Sequence, residues 1–375
     1  MKNGTSPIPR RTLKRRGEIV MKDIKNLLVN CFLLMLAILL FFLLAEGITR
    51  LVMPNSVKIR LMHQLDEKLG YRLVPNYAIN YQTFDFTSSI KINSEGLRDR
   101  EYPKTKDPKT FRILVLGDSF TLGLGVNIEE SYPKVLETML NQSSKGSGAR
   151  TYEVINAGVD GYGTEQEYLY LQELLQRYEP DLVIVGFYSN DVVDVMNGIP
   201  AAITKQKLKN RFYFLSYLRG IQILLQTATV MKKNFSTSIG GVFAPYQENY
   251  SPQFKKAFDR TEGYLVKIRD ISRSRGAKTI IVIIPLCFEI DRGEWKKKGL
   301  GHLYTDDFFN KNMTKLSDTI TEFGKLENIP TLPLLPVFRT SKVRPVYFAR
   351  DSHWTRDGHR IAAESIFKYL QKGIL

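Results

Sequence analysis

From Phe111 onward the chain alternates short apolar runs with longer stretches whose apolar residues recur at helical spacing. The runs Ile113–Leu116, Tyr152–Asn156, Asp181–Tyr188, Thr279–Ile284 and Thr331–Leu334 are rich in β-branched residues and too short for helices. Among these runs Ile113–Leu116 is continuously apolar, the pattern of a parallel strand covered on both faces. Between them the spacing predicts helices over Tyr132–Asn141, Thr164–Tyr178, Pro252–Arg275 and Asp306–Glu327. A last helix begins at Thr355 and reaches about Gln371. Thr164 with Glu167 reads as a capping box for the second helix, and Ser143–Gly148 as a Gly/Ser-rich turn. Strands alternating with helices imply an α/β fold with a central parallel sheet, doubly wound into three α/β/α layers.

The pattern divides the rest of the chain. Residues 1–26 form a basic tail, with eight Lys and Arg against Glu18 and Asp23. Leu27–Ala45 follows without a single charge, long enough for a transmembrane helix with its basic flank cytoplasmic. The expectation is an uncleaved signal anchor, with the chain after Glu46 exported to a periplasmic or extracellular space. Cleavage near Ala45-Glu46-Gly47 is the alternative, and Met21 is an alternative start. Residues 46–110 read as a juxtamembrane segment of two or three short strands, around Leu69–Asn76, Tyr81–Thr87 and Ile90–Asn93, that holds the main domain off the membrane. The main domain is then 111–375, with an insertion at 195–250. There Phe214, Leu215, Leu218, Ile221, Leu224 and Leu225 recur at helical spacing among Lys205, Lys207, Lys209, Arg211, Lys232 and Lys233. A helix packed on the domain, a lid over a site and a helix at the membrane surface all fit that pattern.

Composition narrows the function. The net charge of +16 would suit nucleic acid, but its one dense block is the tail beside the apolar run, so nucleic-acid binding is not expected. Two cysteines, Cys31 and Cys287, make no disulfide framework and both read as buried thiols.

The chemistry gathers at strand ends. The first strand stops at Gly117-Asp118-Ser119, in the position where an open α/β sheet presents groups to ligand. A serine hydroxyl is a weak nucleophile until a base takes its proton, and the base acts best when a carboxylate orients it. Asp351-Ser352-His353, ahead of the last helix, supplies both, because residues two apart in an extended segment point the same way. Oxyanion donors are offered by the backbone of Gly161, the side chain of Asn190 and the Ser119 N–H. Asp357-Gly358-His359 is a second Asp-x-His pair. His359 shares a helical face with Ala362, Ala363, Ile366 and Leu370, however, and reads as facing the core. No metal site or cofactor is expected: the other histidines, His63 and His302, have no ligand-like spacing, and Gly123-Leu124-Gly125 lacks the rest of a dinucleotide fingerprint.

In their order, Gly117-Asp118-Ser119, Gly161, Asn190 and the Asp351/His353 pair resemble the four blocks of the SGNH (GDSL-type) esterase and acetylhydrolase superfamily, from about Phe111 to Leu370. The resemblance implies a flavodoxin-like sheet. It implies Ser119 as nucleophile, His353 as general base and acid, Asp351 as orienting carboxylate, and Ser119, Gly161 and Asn190 as the oxyanion hole. The family's usual block places Asp three residues before His, where this chain has Arg350. Its Asp-x-His-Trp-Thr is similar to the variant of exported members such as the alginate O-acetylation enzymes. The function so implied is hydrolysis of a small ester, most simply an O-acetyl group on an envelope carbohydrate. Alternatives are an O-acetyltransferase working with an integral-membrane acyl donor, a lysophospholipase-like lipid esterase, and a non-catalytic binding module.

Overall fold

The computed structural model describes residues 10–52, 59–144, 150–211, 244–290 and 312–375. The chain divides into two compact units, one holding the N-terminal helix and the other most of the chain from Pro54 onward. Helix α1 (Arg10–Val52) carries Asp23–Ile48, a stretch long and apolar enough to cross a membrane. Its apolar side chains from Leu27 to Leu44 are exposed. Cys31, expected to be buried, is exposed on this helix, because a single helix offers its side chains no core; Cys287 is buried.

In the second unit, two antiparallel hairpins come first: β1 (His63–Asp66) with β2 (Gly70–Leu73), and β3 (Ala78–Gln82) with β4 (Thr87–Lys91). The expected strand Tyr81–Thr87 is thus broken in its middle by the turn Thr83–Phe86, where the Thr83 N–H donates to the Phe86 carbonyl at 2.9 Å. These hairpins lie in the same compact unit as the sheet. Met62, Leu69, Leu73, Ile90, Ile92 and Leu97 all join its core, which apolar side chains on one face of a short sheet must do to leave water.

The central sheet holds β5 (Thr110–Gly117), β6 (Thr151–Asn156), β7 (Leu182–Phe187), β8 (Lys278–Ile283) and β9 (Thr331–Pro333) in the spatial order β6-β5-β7-β8-β9. All four pairings are parallel. Every residue of β7 is buried, as strands covered on both faces require. The connecting helices are α2 (Ser119–Leu122), α3 (Tyr132–Ser143), α4 (Thr164–Tyr178), α5 (Asn190–Arg211), α6 (Pro252–Ser274), α7 (Cys287–Ile290), α8 (Lys315–Leu326), α9 (Leu335–Thr340) and α10 (Arg356–Leu370). Helix α5 runs into the expected insertion 195–250, of which residues 212–243 lie outside the described residues, and breaks at Gly198, two residues before Pro200. The helix expected around Phe214–Leu225, the turn at 145–148 and His302 lie outside the described residues.

One cap differs from expectation. Gly163, not Thr164, is the N-cap of α4, and Gln166 rather than Glu167 reaches back to it, with the Gly163 N–H donating to Gln166 Oε1 at 3.4 Å. Thr164 and Glu167 both face inward and are buried.

The strand order runs outward in both directions from β5, so β6 and β7 leave it on opposite sides. The crevice at such a switch point, beyond the carboxyl ends of the strands, is where open α/β sheets bind ligands.

Candidate active site

β5 delivers its last residue, Gly117, with φ +151°; a Cβ there would lie 2.1 Å from Thr121 Oγ1. Only glycine lets the chain turn back over the strand end at this distance. Asp118 then caps α2, its Oδ1 accepting from the Phe120 N–H at 2.8 Å. Ser119 is thereby the first residue of the helix, at the sheet's carboxyl edge.

The partner arrives from the other end of the sequence. His353 Nε2 lies 2.7 Å from Ser119 Oγ, and its Nδ1 bonds Asp351 Oδ1. The same Asp351 oxygen accepts the His353 backbone N–H at 3.0 Å, so one carboxylate fixes both the ring and the chain that bears it. With Nδ1–H directed at Asp351, Nε2 is left to accept the serine proton. Burial alone would lower the His353 pKa, but the hydrogen bond and charge of Asp351, with Asp118 and Asp160 behind, raise it above the ordinary histidine value. The loop is held by a narrow bridge, Tyr347 to Trp354, with the Phe348 N–H donating to the His353 carbonyl at 3.0 Å. Trp354 is fully buried against Phe338, Phe120 and Tyr132.

β6 and β7 flank the serine. Past β6 the chain stays laddered to β5, Ala157 N–H to Val115 and Val159 N–H to Gly117, and then turns at Gly161, which is exposed and has φ +73°. Past β7, Asn190 opens α5 and donates its amide to Asp194 Oδ2 at 3.1 Å. Gly161 and Asn190 thus stand at the ends of the two strands beside the one that bears Ser119. His359 does not reach the site. It is fully buried, accepting the Tyr132 N–H on Nδ1 at 3.3 Å and stacking on the Tyr132 ring.

Two sets of residues escaped the sequence reading. Behind Ser119 three fully buried carboxyls converge. Burial raises Asp118 to about 6, against the pull of the Phe120 N–H and His353. Burial and the charge of Asp118 hold Glu167 well above the carboxylate range; Asp191 is held there by burial and then by Glu167 and Asp118. Neither Glu167 oxygen has a hydrogen-bond partner among the described residues. The second set precedes β5. Arg98, fully buried, donates to the carbonyls of Leu122, Gly123, Ser89 and Val126 and so braces the turn after Ser119. The Asp99 side chain accepts the Asn156 N–H at 2.8 Å, at the end of β6.

A serine bonded to a histidine at the carboxyl edge of an open parallel sheet is an arrangement suited to nucleophilic chemistry. Residues 115–361 match the GDSL-like Lipase/Acylhydrolase family, and the chain belongs to that family. It is similar to an arylesterase of Vibrio mimicus, 31% identical over 97 residues, a match covering 26% of this chain and 44% of that protein. Among solved structures it is similar to the acetyl xylan esterase AlAXEase (15% identity, 69% and 100% of the two chains, TM-score 0.41). It is also similar to the esterase EstA from Pseudoalteromonas sp. (15%, 70% and 98%, TM-score 0.39).

Proposed function

We propose that this chain is a membrane-anchored serine esterase whose catalytic domain is exported, and that it removes a small acyl group, an O-acetyl on an envelope carbohydrate. The observation that carries the esterase reading is the unbroken path from Asp351 through His353 to Ser119 Oγ. The family match adds to it. Export and anchoring rest on the apolar stretch Asp23–Ile48 and the basic tail before it. The carbohydrate rests on that export and on the Asp-x-His-Trp resemblance.

In this mechanism Ser119 Oγ attacks the acyl carbon while His353 Nε2 takes its proton. The Ser119 and Gly161 N–H groups and the Asn190 amide receive the charge that develops on the carbonyl oxygen. His353 then hands the proton to the leaving sugar oxygen, the C–O bond breaks, and an acetyl-enzyme remains. Water deprotonated by His353 attacks that ester and frees acetate and the serine. Asp351 keeps its charge throughout, stabilising the imidazolium that forms twice per turnover.

The test uses the full chain in detergent micelles with acetyl, butyryl and octanoyl p-nitrophenyl esters and a fluorophosphonate probe, against Ser119→Ala. Labelling and turnover that depend on Ser119 and favour acetyl are the expected result. Octanoyl preference would move the substrate to lipid. Transfer to an added sugar that outruns hydrolysis would make the protein an acyltransferase. A folded wild type with neither labelling nor turnover would overturn the enzyme reading.

A further inference from the structure

The residues that place Asp351 do not all lie in the part of the chain that matches the family. That match begins at residue 115, whereas the β3–β4 hairpin ends at Lys91. Its tip nevertheless touches the loop that carries Asp351 and His353. Asp85 Oδ2 accepts two consecutive backbone N–H groups of that loop, Arg350 at 2.7 Å and Asp351 at 2.6 Å.

The tip is built to hold its carboxylate there. Thr83 Oγ1 accepts the N–H groups of Asp85 and Phe86, at 3.1 and 3.2 Å, closing the turn from inside. Phe86 packs on Tyr81 of its own hairpin and on Phe348 of the facing loop, with ring centroids 5.5 and 5.0 Å apart. The Arg350 guanidinium lies over the Phe84 ring, 5.0 Å from its centroid. Two rings, one cation and one carboxylate therefore dock the hairpin on the segment Phe348–Asp351.

The consequence for chemistry follows from geometry. Two successive N–H groups held by one oxygen fix the peptide units on either side of the Arg350 Cα, the second of which leads directly into the Asp351 Cα, so they restrain the entry from which the Asp351 side chain springs. That side chain in turn fixes the imidazole. Without Asp85 the loop keeps the Tyr347–Trp354 bridge but loses both charge-assisted bonds, one at Asp351, which orients the base, and one at the residue before it. Building on the esterase reading, we propose that Asp85 is a positioning residue: it holds Asp351, and through it His353, in line with Ser119, although it touches no reacting atom.

The companion hairpin faces the opposite loop. Tyr71 Oη donates to the Asp160 carbonyl at 2.8 Å, and His63 Nε2 lies 2.5 Å from Asp160 Oδ1, one residue before Gly161. The groups that set the charge around His353 are thus Asp351 on its own loop, Asp118 on the nucleophile turn and Asp160 beyond β6.

The experiment compares wild type, Asp85→Ala, Asp85→Asn and Lys91→Gln, the last an exposed site at the far end of the same hairpin, as full chains in detergent. The first readout is hydrogen–deuterium exchange of the peptide spanning Phe348–Trp354, which needs no turnover. Asp85→Ala should speed exchange there by about tenfold or more, Asp85→Asn by less because its amide oxygen still accepts, and Lys91→Gln not at all. The second is kinetics: kcat should fall by about 10- to 100-fold in Asp85→Ala with KM little changed, the scale of a misplacement of about 1 Å. The acid limb of kcat/KM should move to lower pH, because His353 is released from the carboxylate that raises its pKa. Unchanged exchange in Asp85→Ala would overturn the proposal, and so would Lys91→Gln matching Asp85→Ala. A wild type without Ser119-dependent turnover would sink the esterase reading alone, since exchange would still show whether Asp85 holds the loop.

Discussion

His359 offers a test that separates the two Asp-x-His pairs through stability. Its ring is fully buried between Tyr132 and Trp354, and its Nε2 has no hydrogen-bond partner among the described residues. Burial first, then the charges of Arg98 and His353, press its pKa down to about 3 from an ordinary 6.5. Between those values the unfolded chain binds a proton that the folded chain refuses, so stability falls as pH falls. One pKa unit is about 1.4 kcal/mol, so wild type should lose about 2 kcal/mol by pH 5 and about 4 kcal/mol by pH 3 from this group alone. His359→Leu fills similar space and cannot titrate. At pH 7.5 it should cost about 1–3 kcal/mol, because the Tyr132 N–H loses its acceptor. The two stability curves should therefore cross near pH 5, with the variant the more stable below. Urea unfolding of the full chain in detergent, followed by the fluorescence of Trp354 and Trp295 between pH 7.5 and 4, measures the difference. A difference that stays constant across that range would refute the reasoning. The variant should also keep Ser119-dependent turnover that His353→Ala loses; the reverse would show that the two histidines had been assigned the wrong way round.

Three further outcomes follow from the same geometry. Asp351→Asn should lower kcat by about 10²–10⁴-fold and move the acid limb of kcat/KM downward, since wild-type activity needs neutral His353 and Asp351 is what raises its pKa; pH–rate profiles decide this. Gly158→Ala should cost about 2 kcal/mol or more in chemical unfolding, because its Cβ would lie 2.3 Å from the Leu122 N and 2.7 Å from the Thr121 C, backbone atoms that cannot step aside singly. Arg112→Met should cost about 3–5 kcal/mol, leaving Glu153 buried without the guanidinium that now binds it at 2.7 Å, and adding Glu153→Leu should restore most of the loss in a double-mutant comparison.

The sheet was legible because parallel strands covered on both faces must be apolar nearly throughout, and Ile113–Leu116 or Leu182–Phe187 have nothing else to be. The crevice followed from the topology, since every expected site residue stood after a strand or before the last helix. The hairpins were legible as strands but not as partners of the site. Alternation in Tyr81–Thr87 says that one face is buried, and says nothing about what buries it. Asp85 reads in sequence as one position of the expected strand Tyr81–Thr87; only the folded chain puts it in a turn and sets its carboxylate under two amides 265 and 266 positions away.

The error at Glu167 is the more instructive. Thr164-x-x-Glu167 fits a capping box, but the helix starts one residue earlier at a glycine, which has no side chain to cap with, and only the return bond from its N–H to Gln166 is made. That shift turns Glu167 from a solvated capping group into a buried carboxyl near Asp118 and Asp191. Burial and mutual repulsion hold Glu167 and Asp191 well above the ordinary carboxylate range. Burial raises Asp118 as well, to about 6. It is also the one whose charge raises the pKa of His353. The cap of α2 therefore does two things at once: it fixes the Ser119 backbone, and its negative charge adds to the basicity of the histidine across the site. No periodicity carries that information, because it depends on side chains that only the folded chain brings together.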